Sequence, residues 1–150
     1  MDAITLLKND HKTVRALLDE LESTTSRGVK KRTELVSRIG KELRIHTTIE
    51  DEIFYPAFKA AGEKNDDVKM FFEAKEEHRA AGALVLPDLE GTDVGSEQFS
   101  GRAKVLKELV EHHAGEEEKD MFPRARKLLS KEELLDLGNA MAARKVELGA

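Results

Sequence analysis

The sequence predicts an all-α protein, an up-down four-helix bundle followed by an extra C-terminal helix. Apolar residues recur at spacings of three and four along most of the chain, as at Val14, Leu17, Leu18 and Leu21, which is the pattern of amphipathic helices. Three polar stretches that contain glycine separate the periodic segments and indicate turns. Aromatic residues make up only 5% of the 150 residues and Trp is absent, which favours helices over a β-sandwich or a barrel.

The periodic segments predict four long helices, and the short connections between them give an up-down order. Pro87 is expected to open the third turn, which runs to about Ser100. Pro56 and Pro123 fall late in the second and fourth helices, where each is expected to kink its helix because proline has no N–H to donate. The expected bounds, good to about two to four residues, are 3–23, 29–61, 66–87 and 97–127.

A fifth helix is expected after Ser130, because Ser130 and Glu133 have the spacing of a capping box. Its apolar residues include Leu134, Leu137 and Met141, and we expect it to pack on the outside of the bundle. The predicted organisation is therefore a bundle over residues 1–128 and a C-terminal helix within residues 129–150.

Composition excludes several classes of protein. There is no cysteine, so disulfides, thiolate metal sites and iron–sulfur clusters are ruled out. The net charge is −5 and the basic residues are scattered among acids, so we expect no nucleic-acid partner. The N-terminus has no signal-peptide pattern, and no window approaches the about 18 apolar residues of a membrane span. We expect a cytoplasmic protein without a membrane partner.

The chain repeats itself at an interval of 67 residues. His78 follows His11 by this interval (78 − 11 = 67), and His113 follows His46 by the same number. Four of the five histidines thus form two matched pairs. Three other pairs share the interval, namely Glu50 and Glu117, Pro56 and Pro123, and Asp10 and Glu77. The repeat predicts two helix pairs related by a pseudo-two-fold axis.

The repeated residues have the chemistry of a metal site. His46 and Glu50 are four residues apart, as are His113 and Glu117, so each pair projects from one helix face. With His11 and His78 from the other two helices, the interior would collect four imidazoles and two carboxylates. Nitrogen and oxygen ligands without sulfur suit iron, manganese or zinc. Two carboxylates that can each bridge favour a pair of metal ions.

The chain lacks the sequence patterns of two other kinds of metal site. A ferritin-like site needs a Glu three residues before a His on two helices, and a zincin protease needs His-Glu-x-x-His; the chain has neither. A metal-free helical interaction module stays open as an alternative.

Several neighbouring residues have a possible supporting role. Asp10 and Glu77 are candidates to hydrogen-bond the ligand histidines, and Glu52 could reach a metal or orient a histidine. Tyr55 could donate a hydrogen bond to bound oxygen or belong to the core. The remaining polar neighbours, His112, Asp51, Glu116 and Glu118, are expected at the surface, where His112 could pair with Glu116.

Over roughly residues 5–127, the chain resembles the hemerythrin-like HHE cation-binding family. The resemblance rests on the element His-x3-Glu-Asp/Glu-x-x-Phe/Met-Tyr/Phe-Pro, which occurs at residues 46–56 and 113–123, and residues 134–146 resemble small stand-alone bacterial members. The resemblance implies an oxo- or hydroxo-bridged diiron centre. It also implies chemistry with dioxygen, hydrogen peroxide or nitric oxide, or iron sensing.

One departure from the family pattern bears on function. Oxygen-carrying members have a His-x3-His pair on the third helix, whereas Ala74 and Gly82 lie four residues either side of His78. A missing ligand would leave exchangeable positions on the iron ions, which favours reaction over reversible carriage. The leading hypothesis is a monomer or weak homodimer that reacts with hydrogen peroxide, in a catalase-like way, or with dioxygen. Oxygen or nitric oxide binding or sensing, and iron storage, are the alternatives.

Overall fold

Five helices joined by short loops make up the whole chain in the computed structural model, and there is no strand. The first and last, α1 (Ala3–Glu22) and α5 (Lys131–Glu147), are continuous α-helices. Each of the other three has a π-helical segment between two α-helical ones: α2 (Val29–Ile49, Glu50–Phe54, Tyr55–Ala61), α3 (Asn65–His78, Arg79–Val85, Leu86–Glu90) and α4 (Glu97–Glu116, Glu117–Met121, Phe122–Leu128). The predicted bundle with an extra C-terminal helix is confirmed. None of the helices combines the length and the apolar character that crossing a bilayer requires.

All three prolines follow a π-helical segment. The N–H of Tyr55, the residue before Pro56, donates to the carbonyl of Glu50 five residues back. The N–H of Phe122, before Pro123, donates in the same way to Glu117. The wider turn accommodates the missing N–H of the proline, and the helix continues beyond it.

A π-helical segment also explains why the third helix ends later than predicted. Leu86 donates to Ala81 five residues back, and Pro87 sits in the first turn of the α-helical stretch that follows. The expected turn from Pro87 to Ser100 is therefore wrong at its start. The helix runs to Glu90, and the loop occupies only residues 91–96.

Two apolar clusters fill the bundle, and the candidate ligands lie between them. One cluster contains Leu7, Ile49 and Phe122 among its buried side chains. The other contains Leu18, Ile39 and Leu86 among its own. On each of the four bundle helices, the histidine of the repeat falls between residues of the first cluster and residues of the second. The polar site is thus enclosed by apolar packing on both sides along the bundle axis.

Helix α5 begins at the predicted capping box, in which Ser130 Oγ accepts from the Glu133 N–H and Glu133 Oε1 accepts from the Ser130 N–H. It packs on the start of α1, where Gly138 lies directly against the backbone of Met1. Leu134 and Met141 are buried in the first apolar cluster. The helix therefore helps to close the end of the bundle that contains Phe54 and Phe58.

Candidate metal centre

The structure brings the six predicted ligands together in the middle of the bundle. Helices α1 and α3 each supply one histidine, and α2 and α4 each supply a histidine and a glutamate. No residue of the set is more than 9% exposed. Ligand atoms of these residues form two compact groups that share Glu50, with the atoms of each group within 4.8 Å of one another: His11, His46, Glu50 and Glu117 in the first, and Glu50, His78 and His113 in the second.

Each glutamate lies between two histidines of different helices. Glu50 Oε1 is 2.9 Å from His46 Nε2 on its own helix and 3.1 Å from His78 Nε2 on α3. Glu117 Oε1 is 3.2 Å from His113 Nε2 and 3.2 Å from His11 Nε2. The two carboxylates thus occupy the positions from which they could bridge a pair of metal ions.

A carboxylate also faces the outer nitrogen of every candidate histidine. Asp10 Oδ2 is 3.0 Å from His46 Nδ1, and Glu77 Oε1 is 2.7 Å from His113 Nδ1, as predicted. These contacts assign a proton to Nδ1, which donates to the carboxylate, and direct Nε2 inward as the nitrogen that a metal ion would take. The acids therefore fix both the tautomer and the orientation of the rings.

The other two outer carboxylates were missed. Asp51 Oδ1 is 3.1 Å from His78 Nδ1, and Glu118 Oε2 is 3.2 Å from His11 Nδ1. Their side chains are 34% and 29% exposed, as expected near the surface, but the contacts with the histidines were not predicted. The signal was present, because these two acids are also 67 residues apart and each directly follows a candidate ligand glutamate. Arg15 holds Glu118 in place through both carboxylate oxygens.

Glu52 does not take part in the site. Its carboxylate accepts from Arg144 Nε at 2.8 Å and from Arg144 Nη2 at 3.1 Å. The prediction that Glu52 reaches a metal or orients a histidine is therefore wrong. The ion pair instead joins α2 to the C-terminal helix.

His112 lies at the surface, as expected, with its side chain 63% exposed. Its Nε2 atom is 3.1 Å from Glu116 Oε1 and 3.4 Å from Glu77 Oε2. Burial and the nearby carboxyls of Glu73 and Glu77 raise the pKa of Glu116 to about 7, so Glu116 is not the simple solvated charge that was expected.

Tyr55 is fully buried, and its hydroxyl lies among the atoms of the second group. The oxygen is 3.0 Å from His78 Nε2 and 3.1 Å from His113 Nε2, and the O–H donates to Glu117 Oε2 at 3.0 Å. Burial, followed by the charge of Glu50, raises the pKa of Tyr55 well above its usual range. The phenol therefore holds its proton.

The π-helical segment explains why Tyr55 faces the site. Tyr55 comes five residues after Glu50, and an α-helix of 3.6 residues per turn would direct the two to different faces. The wider turn returns the fifth residue to the same face. Phe122 stands in the same relation to Glu117 and stacks on His11 with ring centroids 5.8 Å apart. One half of the site thus has a hydroxyl where the other has an apolar ring.

Several buried polar atoms of the site have no hydrogen-bond partner, and a bound cation would satisfy them. Four buried atoms make no hydrogen bond of acceptable geometry, although three of them lie within 3.2 Å of an oppositely charged group. Leaving such a group without a hydrogen bond costs about 1–3 kcal/mol. Two other inward-facing nitrogens, His78 Nε2 and His113 Nε2, are only 3.1 Å apart. The unpaired atoms are His11 Nε2, His46 Nε2, Glu50 Oε2 and Glu117 Oε1. This set of nitrogen and oxygen donors fits divalent metal ions.

The electrostatics of the site also favour positive charge. Burial alone would lower the pKa of His46, but the carboxylates of Glu50 and Asp10 outweigh it and raise that pKa to about 10. The pKa of His113 is raised well above its usual range, because Glu117 and Glu77 outweigh burial in the same way. The negative field that holds a proton on these rings would also attract a metal cation.

Comparisons with known proteins point in one direction. The sequence model described as "Hemerythrin HHE cation binding domain" matches residues 2–125. The uncharacterised protein Rv2633c of Mycobacterium tuberculosis is 31% identical over 149 residues, which cover 99% of this chain and 88% of that protein. The crystal structure of a Hemerythrin HHE cation binding domain-containing protein, an Rv2633c homologue from Mycobacterium kansasii, is similar with a TM-score of 0.85 and 30% identity, over 99% of this chain and 87% of that one.

A longer relative matches as well. A protein of Nostoc sp. named DNA nickase is 27% identical over 128 residues, which cover 85% of this chain. The matched part is 34% of that protein, so this chain is similar to about a third of its length.

Proposed function

The chain belongs to the hemerythrin HHE cation-binding domain family, and from this premise we propose that it is a non-haem diiron protein that reacts with hydrogen peroxide. The observation that carries the proposal is the buried set of four imidazoles and two carboxylates, arranged as two related groups that share Glu50. Two groups with the same kinds of ligand atom suit two metal ions of one kind. Dioxygen is the second small oxidant that such a pair would take.

The six residues divide naturally between two ions. His11 and His46 would hold one ion, and His78 and His113 would hold the other. Glu50 and Glu117 lie between histidines of different helices and would bridge the two. Iron held by these residues would supply the two-electron redox chemistry that peroxide disproportionation requires.

The number of protein ligands favours reaction over carriage. Four nitrogens and at most four carboxylate oxygens are fewer than the about twelve positions of two six-coordinate ions. Ala74 and Gly82, four residues either side of His78, offer no further ligand. Exchangeable positions would therefore remain on both ions, where a small oxidant could bind.

The protein's own residues would exclude water, orient the ligands and move protons. Phe54, Tyr55 and Phe122 are at most 1% exposed and close one side of the site. In peroxide disproportionation, one molecule loses two electrons and two protons to become dioxygen, and a second takes up both and becomes two molecules of water. The Tyr55 hydroxyl, which lies within 3.1 Å of two ligand nitrogens, is placed to give its proton to the peroxide that is reduced and to regain one from the peroxide that is oxidised.

Metal analysis and oxygen release test the proposal together. We expect about two iron ions per chain after loading with ferrous iron, and release of one dioxygen for every two peroxides consumed, well above free iron at the same concentration. The matched control is the double variant His46→Ala/His113→Ala, which should retain neither iron nor activity. Bound iron without oxygen release would refute the peroxide reaction, and a reversible oxygen-dependent band would support carriage. A chain without stoichiometric metal would support the helical interaction module.

A further inference from the structure

A small cavity adjoins the imidazole rings on the side away from Tyr55. The four candidate histidines form part of its wall, and short side chains such as Val14, Ala81 and Val110 form much of the rest. Its volume is about 40 Å³. Because a water molecule needs about 10–15 Å³ measured in this way, the cavity has room for a few small molecules and no more.

The opposite side of the centre is closed. Phe54 and Tyr55 are fully buried and Phe122 is 1% exposed, and the three rings pack against one another. A molecule that reaches the Nε2 atoms from the apolar side must therefore pass through the cavity. A second cleft of about 490 Å³ touches His113 and Glu117 from the face of α3 and α4, but charged side chains such as Lys69, Glu73 and Lys119 line it.

A surface groove adjoins the cavity, and one of the residues between them is a glycine. A groove of about 580 Å³ runs between α2 and α3, and four residues border both the groove and the cavity: Leu43, Thr47, His78 and Gly82. Gly82 is the only one of these without a side chain, and a Cβ atom placed there would meet nothing within 4 Å. It lies in the π-helical segment Arg79–Val85, in which no residue is buried. The boundary between groove and cavity is therefore thinnest at Gly82.

We propose that Gly82 forms the entrance through which small neutral molecules pass from the groove to the centre, and that this entrance restricts the reactants by size. This proposal rests on the proposed function and limits its substrates to small peroxides. Hydrogen peroxide fits the cavity, whereas a branched alkyl hydroperoxide does not. A larger side chain at position 82 would have space to form and would obstruct the passage without touching the ligand atoms.

The substitution Gly82→Leu tests the entrance, and Gly101→Leu is the matched control. Gly101 is an exposed glycine within α4 whose Cβ position is also open, so the same side chain is added to a helix far from the passage. We expect Gly82→Leu to slow the binding of nitric oxide, a small neutral probe, to the ferrous protein and its release by the same factor, about tenfold or more, and to leave the Kd unchanged. The control should bind as the wild type does.

Two further measurements separate the entrance from the chemistry. Wild-type protein should consume hydrogen peroxide at least about a hundredfold faster than tert-butyl hydroperoxide at equal iron content. Xenon exchange followed by NMR in the metal-free protein should be slower in Gly82→Leu than in Gly101→Leu, whether or not iron supports turnover. A changed Kd would place position 82 in the binding site itself, and unchanged xenon exchange and nitric oxide rates in Gly82→Leu would place entry in the charged cleft; both results overturn the proposal.

Discussion

The Nδ1 atom of His46 lies 3.0 Å from Asp10 Oδ2, and the pseudo-two-fold of the bundle repeats this pair. Its counterpart is His113 with Glu77, at 2.7 Å. Each member is 67 residues beyond its equivalent. The symmetry therefore relates the acids that orient the histidines as well as the histidines themselves.

Replacing Asp10 should weaken metal binding without removing a ligand. In Asp10→Asn the His46 ring loses its charged acceptor, and we expect the affinity for ferrous iron to fall about 10–100-fold. Competition with a chromophoric chelator measures this directly. Asp136→Asn, an exposed acid on α5, should leave the affinity unchanged. Equal affinities in Asp10→Asn and wild type would refute a role for the carboxylate in orienting the ring.

Metal uptake should release protons. The pKa of His46 is raised to about 10 in the metal-free protein, so at neutral pH the ring is protonated and a metal must displace that proton. The affinity should rise with pH between about 6 and 9, by about tenfold per unit for each proton displaced. A pH indicator in weakly buffered protein should report proton release on addition of iron. A flat affinity profile would contradict the raised pKa.

The stability of the metal-free protein should fall as pH rises, whereas the affinity for metal should increase. A raised pKa means that the folded state holds the proton more tightly than the unfolded state does. The stability that His46 contributes is therefore full below its ordinary pKa of 6.5 and is lost as pH rises towards about 10. Denaturant titrations of the metal-free protein should show this fall, and His46→Gln should reduce it. Stability that rises over this range in the wild type would exclude a charged His46.

Tyr55→Phe should retain iron and lose activity. The hydroxyl contacts His78 and His113, whereas the ring packs in the first apolar cluster, so the substitution removes only the polar function. We expect two iron ions per chain as in the wild type, with oxygen release slowed about a hundredfold. Phe122→Tyr, which adds a hydroxyl at the repeat position, is the control for a polar group placed on the other half. Unchanged turnover in Tyr55→Phe would make Tyr55 a packing residue.

Sequence periodicity was enough to find the helices and all six candidate ligands, because the 67-residue repeat singled out His11 and His78 although neither is followed four residues later by a glutamate. It was not enough to place Asp51 and Tyr55. Both depend on the π-helical segment that follows Ile49. An α-helical wheel assigns residues beyond such a segment to the wrong face, and the sequence signal for it, a proline two residues after its end, was interpreted as a kink.

The charge of Asp67 should stabilise the protein at neutral pH, and the loss of this contribution should destabilise the protein in acid. Its buried carboxylate accepts from the N–H groups of Glu63 and Lys64 and from Nε and Nη2 of Arg124, which joins α3 to α4. The Arg124 guanidinium, followed by the backbone donors, holds the pKa of Asp67 well below its ordinary 3.8. A lowered pKa confers stability above the ordinary pKa and loses it as pH falls further.

Asp67→Asn should therefore lower the thermal midpoint by several degrees at pH 7, because it removes the charge from a buried ion pair. The difference from wild type should narrow as the pH falls below 3.8. Asp66→Asn, the exposed neighbouring residue, controls for loss of charge near the start of the helix. A difference that does not change with pH would show that the charge of Asp67 is not the cause.

Gly138 should be required for the C-terminal helix to pack on the bundle. A Cβ atom at this position would lie 2.2 Å from the carbonyl oxygen of Met1 and 2.8 Å from the backbone nitrogen of Ala3, and backbone atoms cannot move aside as a flexible side chain can. Gly138→Ala should therefore lower the free energy of unfolding by about 2 kcal/mol. Gly101→Ala, in an open helical position, should raise the free energy of unfolding by up to about 1 kcal/mol. Equal stabilities of the two alanine variants would mean that α5 does not depend on this contact.

Gly138→Ala also tests whether α5 stabilises the centre through the ion pair between Lys145 and Asp10. In that case Gly138→Ala should also weaken iron binding. Urea titrations of the metal-free and the iron-loaded protein would separate the effect on stability from the effect on binding.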